Sequence, residues 1–168
     1  GGRRRPPPQL DLEQCVEDFG AEERLEGDNL WHCPKCARRV EATKRIELWK
    51  LPPVVIVHLK RFTHSARGAS KLTTYVDFPL TDLDLSAYCR SPQRDAPVYD
   101  VYAVVNHHGQ FGSGHYTTHA QNRVDGKWHL YNDARVSTVR DASEIKTRDA
   151  YVLFYSRVVV DDALRTAE

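Results

Sequence analysis

The sequence contains no methionine and only four cysteines among its 168 residues. Because translation starts at methionine, this absence predicts that the chain is a piece of a longer or processed protein. Four cysteines are too few and too irregularly spaced for the disulfide scaffold of a secreted domain, so we expect a reducing compartment, the cytoplasm or the nucleus. The longest aliphatic run is Val54 to Val57, which is far too short to cross a bilayer and argues against membrane insertion.

Neither sign of charge is in excess. The 24 basic and 23 acidic side chains leave a formal net charge of +1, which disfavours a generally basic nucleic-acid binder. Three consecutive prolines within residues 1–9 exclude a helix or an interior strand there, so we interpret this segment as a linker or the remnant of an insertion. One domain is expected over residues 10–158, followed by a tail over residues 159–168.

One helix followed by many strands is the predicted order of elements. Apolar residues at i, i+3, i+4 and i+7 form a single helix face, made of Leu12, Cys15, Val16 and Phe19. Asp11 and Gln14 have the spacing of a capping box at its start, and Gly20 can end it. Farther along, β-branched and aromatic residues dominate, and strands are expected from Val54 and over residues 98–108, 114–120, 127–133 and 150–158.

Cys33 and Cys36 form a C-x-x-C knuckle, whose tight turn can direct two thiolates at one tetrahedral Zn²⁺. A structural zinc site needs four ligands, and the sequence has no second C-x-x-C. The pattern therefore favours half of a zinc site over two unmetallated thiols. A redox role ranks third, because the knuckle does not follow a strand and open a helix.

The segment GSGHYTTHA allows two interpretations of its histidines. His115 and His119 have the H-x-x-x-H spacing of helical zinc sites, but the threonines and the tyrosine favour a strand, and the glutamate of a metalloprotease is missing. Alternatively, His115 begins a strand after a flexible Gly-Ser-Gly loop and acts as a general base. A hairpin turning at Asp125-Gly126 would bring Asn132 or Asp133 alongside its ring. A purely structural histidine remains open, and spacing alone does not decide.

A histidine base of this kind needs a nucleophile. Cys15 precedes it in the order Cys–His–Asn, but its neighbours are acidic and oppose thiolate formation, and it lies on the apolar face of its helix. We therefore reject Cys15. Cys89 has no supporting context either, and no G-x-S-x-G motif is present.

Six segments, taken together and in order, resemble the ubiquitin-specific proteases: LWHCPKC, LPPVVIVHLKRF, SKLTTYVDFPL, VYDVYAVVNHHGQFGSGHYTTHA, GKWHLYND and AYVLFYSR. The resemblance covers roughly residues 10–158. It implies an α+β fold, namely the C-terminal, β-rich palm and fingers of a papain-like catalytic domain. The chain is most similar to members whose domain is split by a long insertion, and residues 1–9 would fit the end of such an insertion.

The resemblance also implies roles for individual residues. His115 would be the catalytic base, Asn132 would orient it, and Asp133 would support catalysis or the oxyanion. Cys33 and Cys36 would form the second knuckle of a zinc ribbon, and so hold structural zinc as a half-site.

Two further segments match loops of that family. Residues 63–70 and 107–114 would border the channel for ubiquitin's C-terminal tail, with Gly114 leaving room for its Gly-Gly end. The expected partners are ubiquitin, ubiquitinated proteins and an N-terminal half of the catalytic domain.

The sequence also departs from the family pattern, and these departures bear on its function. The box that supplies the nucleophilic cysteine and the first zinc knuckle are both missing, and both belong to the N-terminal half. The resemblance therefore implies a thiol-dependent deubiquitinase whose nucleophile lies outside this chain, so that the chain alone is inactive. The alternatives are a catalytically inactive ubiquitin-binding module, or a zinc-ribbon nucleic-acid binder supported only by the knuckle and the basic residues 3–5.

Overall fold

A seven-stranded antiparallel sheet organises the chain. The computed structural model describes residues 10–65, 68–92 and 96–158, so the predicted linker (1–9) and tail (159–168) lie outside the described residues. Within these ranges there is one α-helix, α1 (Leu12–Gly20). The fifteen strands of the described ranges are β1 (Leu10–Asp11), β2 (Glu23–Leu25), β3 (Trp31–Cys33), β4 (Arg38–Val40), β5 (Ala42–Lys44), β6 (Val54–His58), β7 (Phe62–Ser65), β8 (Gly68–Lys71), β9 (Val76–Asp77), β10 (Leu83–Asp84), β11 (Val98–Gln110), β12 (Ser113–Gln121), β13 (Trp128–Asn132), β14 (Arg135–Thr138) and β15 (Ala150–Arg157).

The main sheet has the order β14-β13-β12-β11-β15-β6, and β10 pairs with the beginning of β11. Three separate two-stranded ribbons, β2–β5, β3–β4 and β7–β8, are antiparallel, whereas β1 and β9 form a parallel pair. The long strand β11 is central, because β12 and β15 flank it on either side. Every strand run expected from the sequence contains a strand of this sheet, so those predictions are confirmed.

The predicted helix is confirmed, and its capping explains where it begins. The Asp11 carboxylate accepts a hydrogen bond from the main-chain N–H of Gln14 at 2.8 Å, which satisfies one of the unpaired amides of the first turn. Leu12 is buried and turns the apolar side of α1 toward the sheet. No helix in the described ranges has the length and apolar character needed to cross a membrane.

The hydrophobic core lies on one face of the main sheet. Its buried side chains come from α1, from the segment before β11, and from the central strands, and include Leu12, Phe78, Leu83, Tyr99, Val104, Leu153 and Tyr155. The two tyrosines place their hydroxyls at the edge of the core, where Tyr99 donates to the Pro52 carbonyl and Tyr155 to the Pro79 carbonyl, each at 2.7 Å. The polar ends of these large rings are therefore satisfied while the rings are buried.

The Gly-Ser-Gly segment is not a flexible loop, which corrects the sequence-based expectation. Pairing of β11 with β12 continues to Gly109↔Gly114 and Gln110↔Ser113, so only residues 111 and 112 remain for the turn. Gly109 has φ of 105°, and a Cβ there would lie 2.8 Å from the Ser113 carbonyl oxygen. The glycines thus permit close, continuous strand pairing rather than disorder. The segment matched to the other channel loop, residues 63–70, likewise includes parts of β7 and β8.

Candidate active site

His115 lies in a part of β12 that is paired on one side only. Pairing with β11 covers residues 113–120 of β12, but pairing with β13 begins at Thr118↔Tyr131. The His115 side chain is 45% exposed, so its ring is accessible from solvent. The strand context is the one expected for a base at the edge of a sheet.

The hairpin of β12 and β13 brings Asn132 to the His115 ring. Asn132 is the last residue of β13, and its Oδ1 lies 2.7 Å from His115 Nε2. The connection is longer than a two-residue turn, because Gln121 pairs with Trp128 and residues 122–127 form the loop. Since an amide oxygen only accepts, Nε2 carries the proton, and Nδ1 keeps its lone pair. A neutral ring in this tautomer is suited to accept a proton at Nδ1.

Asp133 stands next to this pair but is held less closely. Its Oδ2 lies 3.9 Å from His115 Nε2, and its side chain is 81% exposed. The residue adopts a left-handed backbone conformation, with φ of 50°, directly after β13 ends. That bend keeps the carboxylate beside the imidazole.

The cysteines of the chain occupy other places. Burial raises the pKa of the Cys15 thiol, as do the nearby carboxylates of Asp18 and Asp11, although Arg61 opposes them. This agrees with the rejection of Cys15 as a nucleophile. The Cys89 sulfur lies 3.3 Å from the main-chain oxygen of Trp49.

Cys33 and Cys36 sit at the tip of the β3–β4 ribbon. Cys33 ends β3, and the turn to β4 contains Ala37 in a left-handed conformation, with φ of 52°. A hydrogen bond from the Cys36 main-chain N–H lowers the pKa of the Cys33 thiol, so this turn favours a thiolate. Among the described residues, no cluster of three or more His, Cys, Asp or Glu side chains could hold a metal ion.

His119 has a structural setting, which removes the H-x-x-x-H interpretation. It lies on the same strand as His115 rather than on a helix, is buried, and accepts a hydrogen bond at Nδ1 from Asn106 Nδ2 at 3.1 Å. Asn106 is buried too, and its Oδ1 accepts from the Thr147 hydroxyl at 2.8 Å. His119, Asn106 and Thr147 are thereby joined by two hydrogen bonds.

Gly114 has a packing role in the hairpin in addition to the expected one. A Cβ at this position would lie 2.5 Å from the His108 carbonyl oxygen and would also collide with the His107 ring. His107 is buried and packs against the rings of Phe62 and Tyr116, with centroids 5.4 and 4.9 Å away. Close packing within the hairpin is therefore enough to require glycine here; the proposed contact with a substrate tail remains a prediction.

A polar network that no sequence motif indicates lies next to His115. The Lys71 Nζ lies 3.2 Å from Asp149 Oδ1, and Asp149 Oδ2 lies 3.1 Å from His108 Nδ1. The other ring nitrogen of His108 lies 2.9 Å from the Thr117 hydroxyl. No motif joins these residues, and only the tertiary fold brings them together.

Comparisons with known proteins agree with the resemblance. A model of the ubiquitin carboxyl-terminal hydrolase family matches residues 23–155. Ubiquitin carboxyl-terminal hydrolase 15 of Mus musculus is 45% identical over 155 residues, which are 91% of this chain and 16% of that protein. Ubiquitin carboxyl-terminal hydrolase 10 of Arabidopsis thaliana is 45% identical over 159 residues, 95% of this chain and 17% of that protein. The chain therefore belongs to the ubiquitin carboxyl-terminal hydrolase family.

Solved structures show the same fold. A chain of the SAGA Ubp8/Sgf11/Sus1/Sgf73 DUB module bound to ubiquitin aldehyde matches with a TM-score of 0.74 and 31% identity, covering 92% of this chain and 35% of that one. Another structure of the yeast SAGA DUB module gives the same TM-score of 0.74 and covers 92% and 34%. The predicted α+β class is confirmed, and the fold is that of the β-rich, C-terminal part of a ubiquitin-specific protease catalytic domain. The chain spans 16–17% of the length of the curated relatives cited above.

Buried histidines should make the folded state sensitive to acid. Burial lowers the pKa of His119 below its ordinary value of 6.5, as it does for His107. As the pH falls, the unfolded chain binds more protons at these histidines than the folded chain does. Their contribution to the free energy of unfolding is therefore fully present above about pH 6.5 and is lost as the pH decreases toward the lowered pKa. We expect His119→Gln, which keeps an acceptor for Asn106, to reduce this loss, as measured by urea unfolding from about pH 7 to about pH 5.

The exposed His32 provides the control for this prediction. His32→Gln should leave the pH dependence of the unfolding free energy as it is in the wild-type chain. An identical slope in the wild type and in His119→Gln would contradict the prediction.

Proposed function

We propose that this chain supplies the base and its orienting residue to a cysteine deubiquitinase, which hydrolyses the isopeptide or peptide bond after the C-terminal glycine of ubiquitin. The observation that carries the proposal is the 2.7 Å contact between His115 Nε2 and Asn132 Oδ1. Two curated relatives are named ubiquitin carboxyl-terminal hydrolases, and a similar solved module is bound to ubiquitin aldehyde. Ubiquitin and ubiquitinated proteins are the partners that follow from this proposal.

The nucleophile is a cysteine that lies outside this chain. Nδ1 of His115 accepts the proton of that thiol, and the thiolate attacks the carbonyl carbon of ubiquitin's terminal glycine. The imidazolium then protonates the leaving lysine or peptide amine, so that a thioester remains. In the second half-reaction His115 takes a proton from water, whose oxygen attacks the thioester carbon. The C–S bond breaks, the imidazolium returns the proton to the departing thiolate, and the new carboxyl group of ubiquitin releases its own proton to solvent.

Asn132 and Asp133 act on the imidazole rather than on the substrate. Asn132 Oδ1 accepts a hydrogen bond from the His115 Nε2–H and so fixes the tautomer and the direction of Nδ1 through both half-reactions. The Asp133 carboxylate, 3.9 Å from Nε2, stabilises the imidazolium that forms transiently.

The mechanism predicts a dependence on both residues once the nucleophile is supplied. We expect the chain to be inactive alone and active with an N-terminal part of the catalytic domain, as measured by release of aminomethylcoumarin from the ubiquitin C-terminus. His115→Ala should lower kcat about 10²- to 10⁴-fold because the general base is lost. Asn132→Ala should lower kcat less, and Asn132→Asp should retain most activity because a carboxylate accepts the same hydrogen bond.

His129 offers a matched control on the same sheet. It lies on β13 as Asn132 does, but its Nε2 faces Asp125 Oδ2 at 3.4 Å. His129→Ala should keep its activity. Undiminished activity of His115→Ala would overturn the mechanism, whereas ubiquitin binding without any hydrolysis by the assembled protein would indicate the inactive ubiquitin-binding module.

We also propose that Cys33 and Cys36 supply two of the four ligands of a structural Zn²⁺. The hydrogen bond from the Cys36 main-chain N–H, which lowers the pKa of the Cys33 thiol, fits a zinc-bound thiolate at Cys33, and Cys36 has the knuckle spacing of a second ligand. Two thiolates alone leave half of a tetrahedral site unfilled, so the other two ligands must come from residues outside the described ranges. The metal would hold the tip of the β3–β4 ribbon and take no part in the reaction.

The zinc proposal predicts a difference between the chain and the assembled domain. The chain alone should retain little zinc after dialysis, whereas the complex with the N-terminal part should contain one equivalent by plasma mass spectrometry. Cys36→Ser should remove that zinc, because one thiolate ligand is lost. Cys89→Ser serves as the control and should keep it. A full zinc equivalent in the Cys36→Ser complex would exclude this pair as ligands.

An apolar groove supports the assignment of an N-terminal part as a partner. The groove has a volume of about 740 Å³ and lies between α1, β6 and the segment around Leu72. Arg61 lines it, and three main-chain carbonyls accept hydrogen bonds from Nε and Nη1 of its guanidinium. Its Nη2 is buried and has no hydrogen-bond partner among the described residues. A buried, unpaired N–H of this kind costs about 1–3 kcal/mol, so an acceptor from elsewhere is expected.

The remainder of the catalytic domain is the occupant that fits this groove. The chain covers only 35% of a similar solved chain, so a large part of such a domain lies outside it. That part would place apolar side chains in the groove and a main-chain carbonyl or carboxylate on Arg61. When the N-terminal part binds in this way, its cysteine would lie beside the exposed ring of His115, on the side of β12 that β13 leaves unpaired.

If the groove binds the N-terminal part, a charge placed in the groove should weaken the association of that part with this chain. Leu72 is 46% exposed and lines the groove, so Leu72→Asp should weaken binding of the N-terminal part at least about tenfold, because a charge would be buried without a partner. Isothermal titration calorimetry measures this. Val136→Asp is the control, since Val136 is similarly exposed (58%) but lies on β14, at the opposite edge of the sheet. Equal weakening by both changes would contradict the assignment.

A further inference from the structure

His115 lies in a short segment of β12 that main-chain pairing holds on one side only. Residues 113–117 of β12 pair with β11 but not with β13, whose pairing begins only at Thr118. Across the gap, the bond between His115 and Asn132 is a single side-chain contact. A base must be placed to within a fraction of an ångström to act efficiently, so this segment needs a further constraint.

His108 provides a constraint from the neighbouring strand. It lies directly opposite His115 in the β11–β12 register, and opposite residues of an antiparallel pair project from the same face of the sheet. The Thr117 hydroxyl and His108 Nε2 share a hydrogen bond of 2.9 Å. Because Thr117 lies two residues beyond His115, it shares that face as well, and the bond ties β12 to β11 beside the base.

His108 is itself anchored in the scaffold. Its Nδ1 donates to Asp149 Oδ2 at 3.1 Å, and the other carboxylate oxygen receives Lys71 Nζ at 3.2 Å. The Lys71 side chain is only 2% exposed, and Nζ also donates to the main-chain oxygen of His107. A buried ammonium that is satisfied by a carboxylate and a carbonyl is difficult to displace. The chain of contacts therefore leads from β8 and the start of β15 to the strand that carries His115.

We propose that His108 is a positioning residue for His115, which it holds in place through Thr117 on one side and through Asp149 and Lys71 on the other. This inference rests on the proposed function, because it assigns His108 to the base of that reaction. His108 touches neither the substrate nor the reacting atoms; it fixes the segment of β12 from which the base projects.

The first test uses the whole chain and does not require activity. Long-range ¹H–¹⁵N NMR of the imidazoles reports the tautomer of His115, which should be protonated at Nε2 in the wild type. Thr117→Val keeps the shape of the side chain but removes the hydroxyl, and His108→Phe keeps a ring but removes both nitrogens. Both variants should move the His115 signals toward those of a free, tautomer-averaged histidine, while His108→Gln, which can both donate and accept, should restore them in part.

His129→Phe is the matched control, because it removes a histidine–aspartate pair from the same sheet without touching residues 113–117. It should leave the His115 signals unchanged. Urea unfolding of each variant identifies any that fail to fold, and Thr117→Val carries the test if His108→Phe is one of them. Folded Thr117→Val and His108→Phe with wild-type His115 signals would overturn the inference.

The second test uses the assembled enzyme. Thr117→Val should lower kcat about 10- to 100-fold with little change in KM, because the base is misplaced while ubiquitin binding is retained. His108→Phe should cause a comparable loss, and His108→Gln, which can both donate and accept, a smaller one. Displaced His115 signals without any loss of kcat would support the positioning role but count against His115 as the base, so the two proposals can fail separately. Unchanged His115 signals overturn the positioning role whatever the activity.

Discussion

The pairing of β11 with β12 is the constraint on which the rest of the structure depends. Successive residues of a strand point to opposite faces, so the register decides which side chains meet. In this register His108 lies opposite His115 on one face, while His107 turns to the other face and packs against Tyr116. A slip of one residue would exchange the faces of His115 and Tyr116, and so separate His115 from Asn132. Glycine at positions 109 and 114 lets the two strands stay close up to the turn, which keeps the register intact to its end.

Those parts of the structure that follow from local pattern could be predicted from the sequence. The cap at Asp11 and the apolar spacing behind it specify α1, because both act within a few residues. The β-branched and aromatic runs specify the strands for the same reason. The contact of His115 with Asn132 also follows from a local pattern. The two residues are 17 positions apart, which suits two short strands joined by a hairpin, and a hairpin brings such positions side by side.

The remaining parts depend on contacts between distant segments, which no local pattern reports. No local pattern marks Lys71 as a buried residue, yet its side chain is buried against Asp149, 78 positions away. His119 has the spacing of a metal ligand, but its partner Asn106 lies on another strand and makes it structural. The composition of the Gly-Ser-Gly segment permits flexibility and therefore predicts a loop. In the fold, the same absence of side chains serves close packing instead.

Three features of the described residues are incomplete in a way that has one common explanation. His115 has an exposed ring with only Nε2 bonded to Asn132, Cys33 and Cys36 share a turn that lowers the pKa of the Cys33 thiol, and Arg61, which lines an apolar groove, has a buried Nη2 without a hydrogen-bond partner among the described residues. Each could be explained separately, as a solvated histidine, an unmetallated knuckle and a strained guanidinium. If the explanations are separate, three unrelated unfavourable or unused features must occur together in one small fold. A second part of the catalytic domain would supply a thiol for the base, two ligands for the metal and an acceptor for the guanidinium. Since the chain spans 35% of a similar solved chain, a domain of that family has ample length to supply all three.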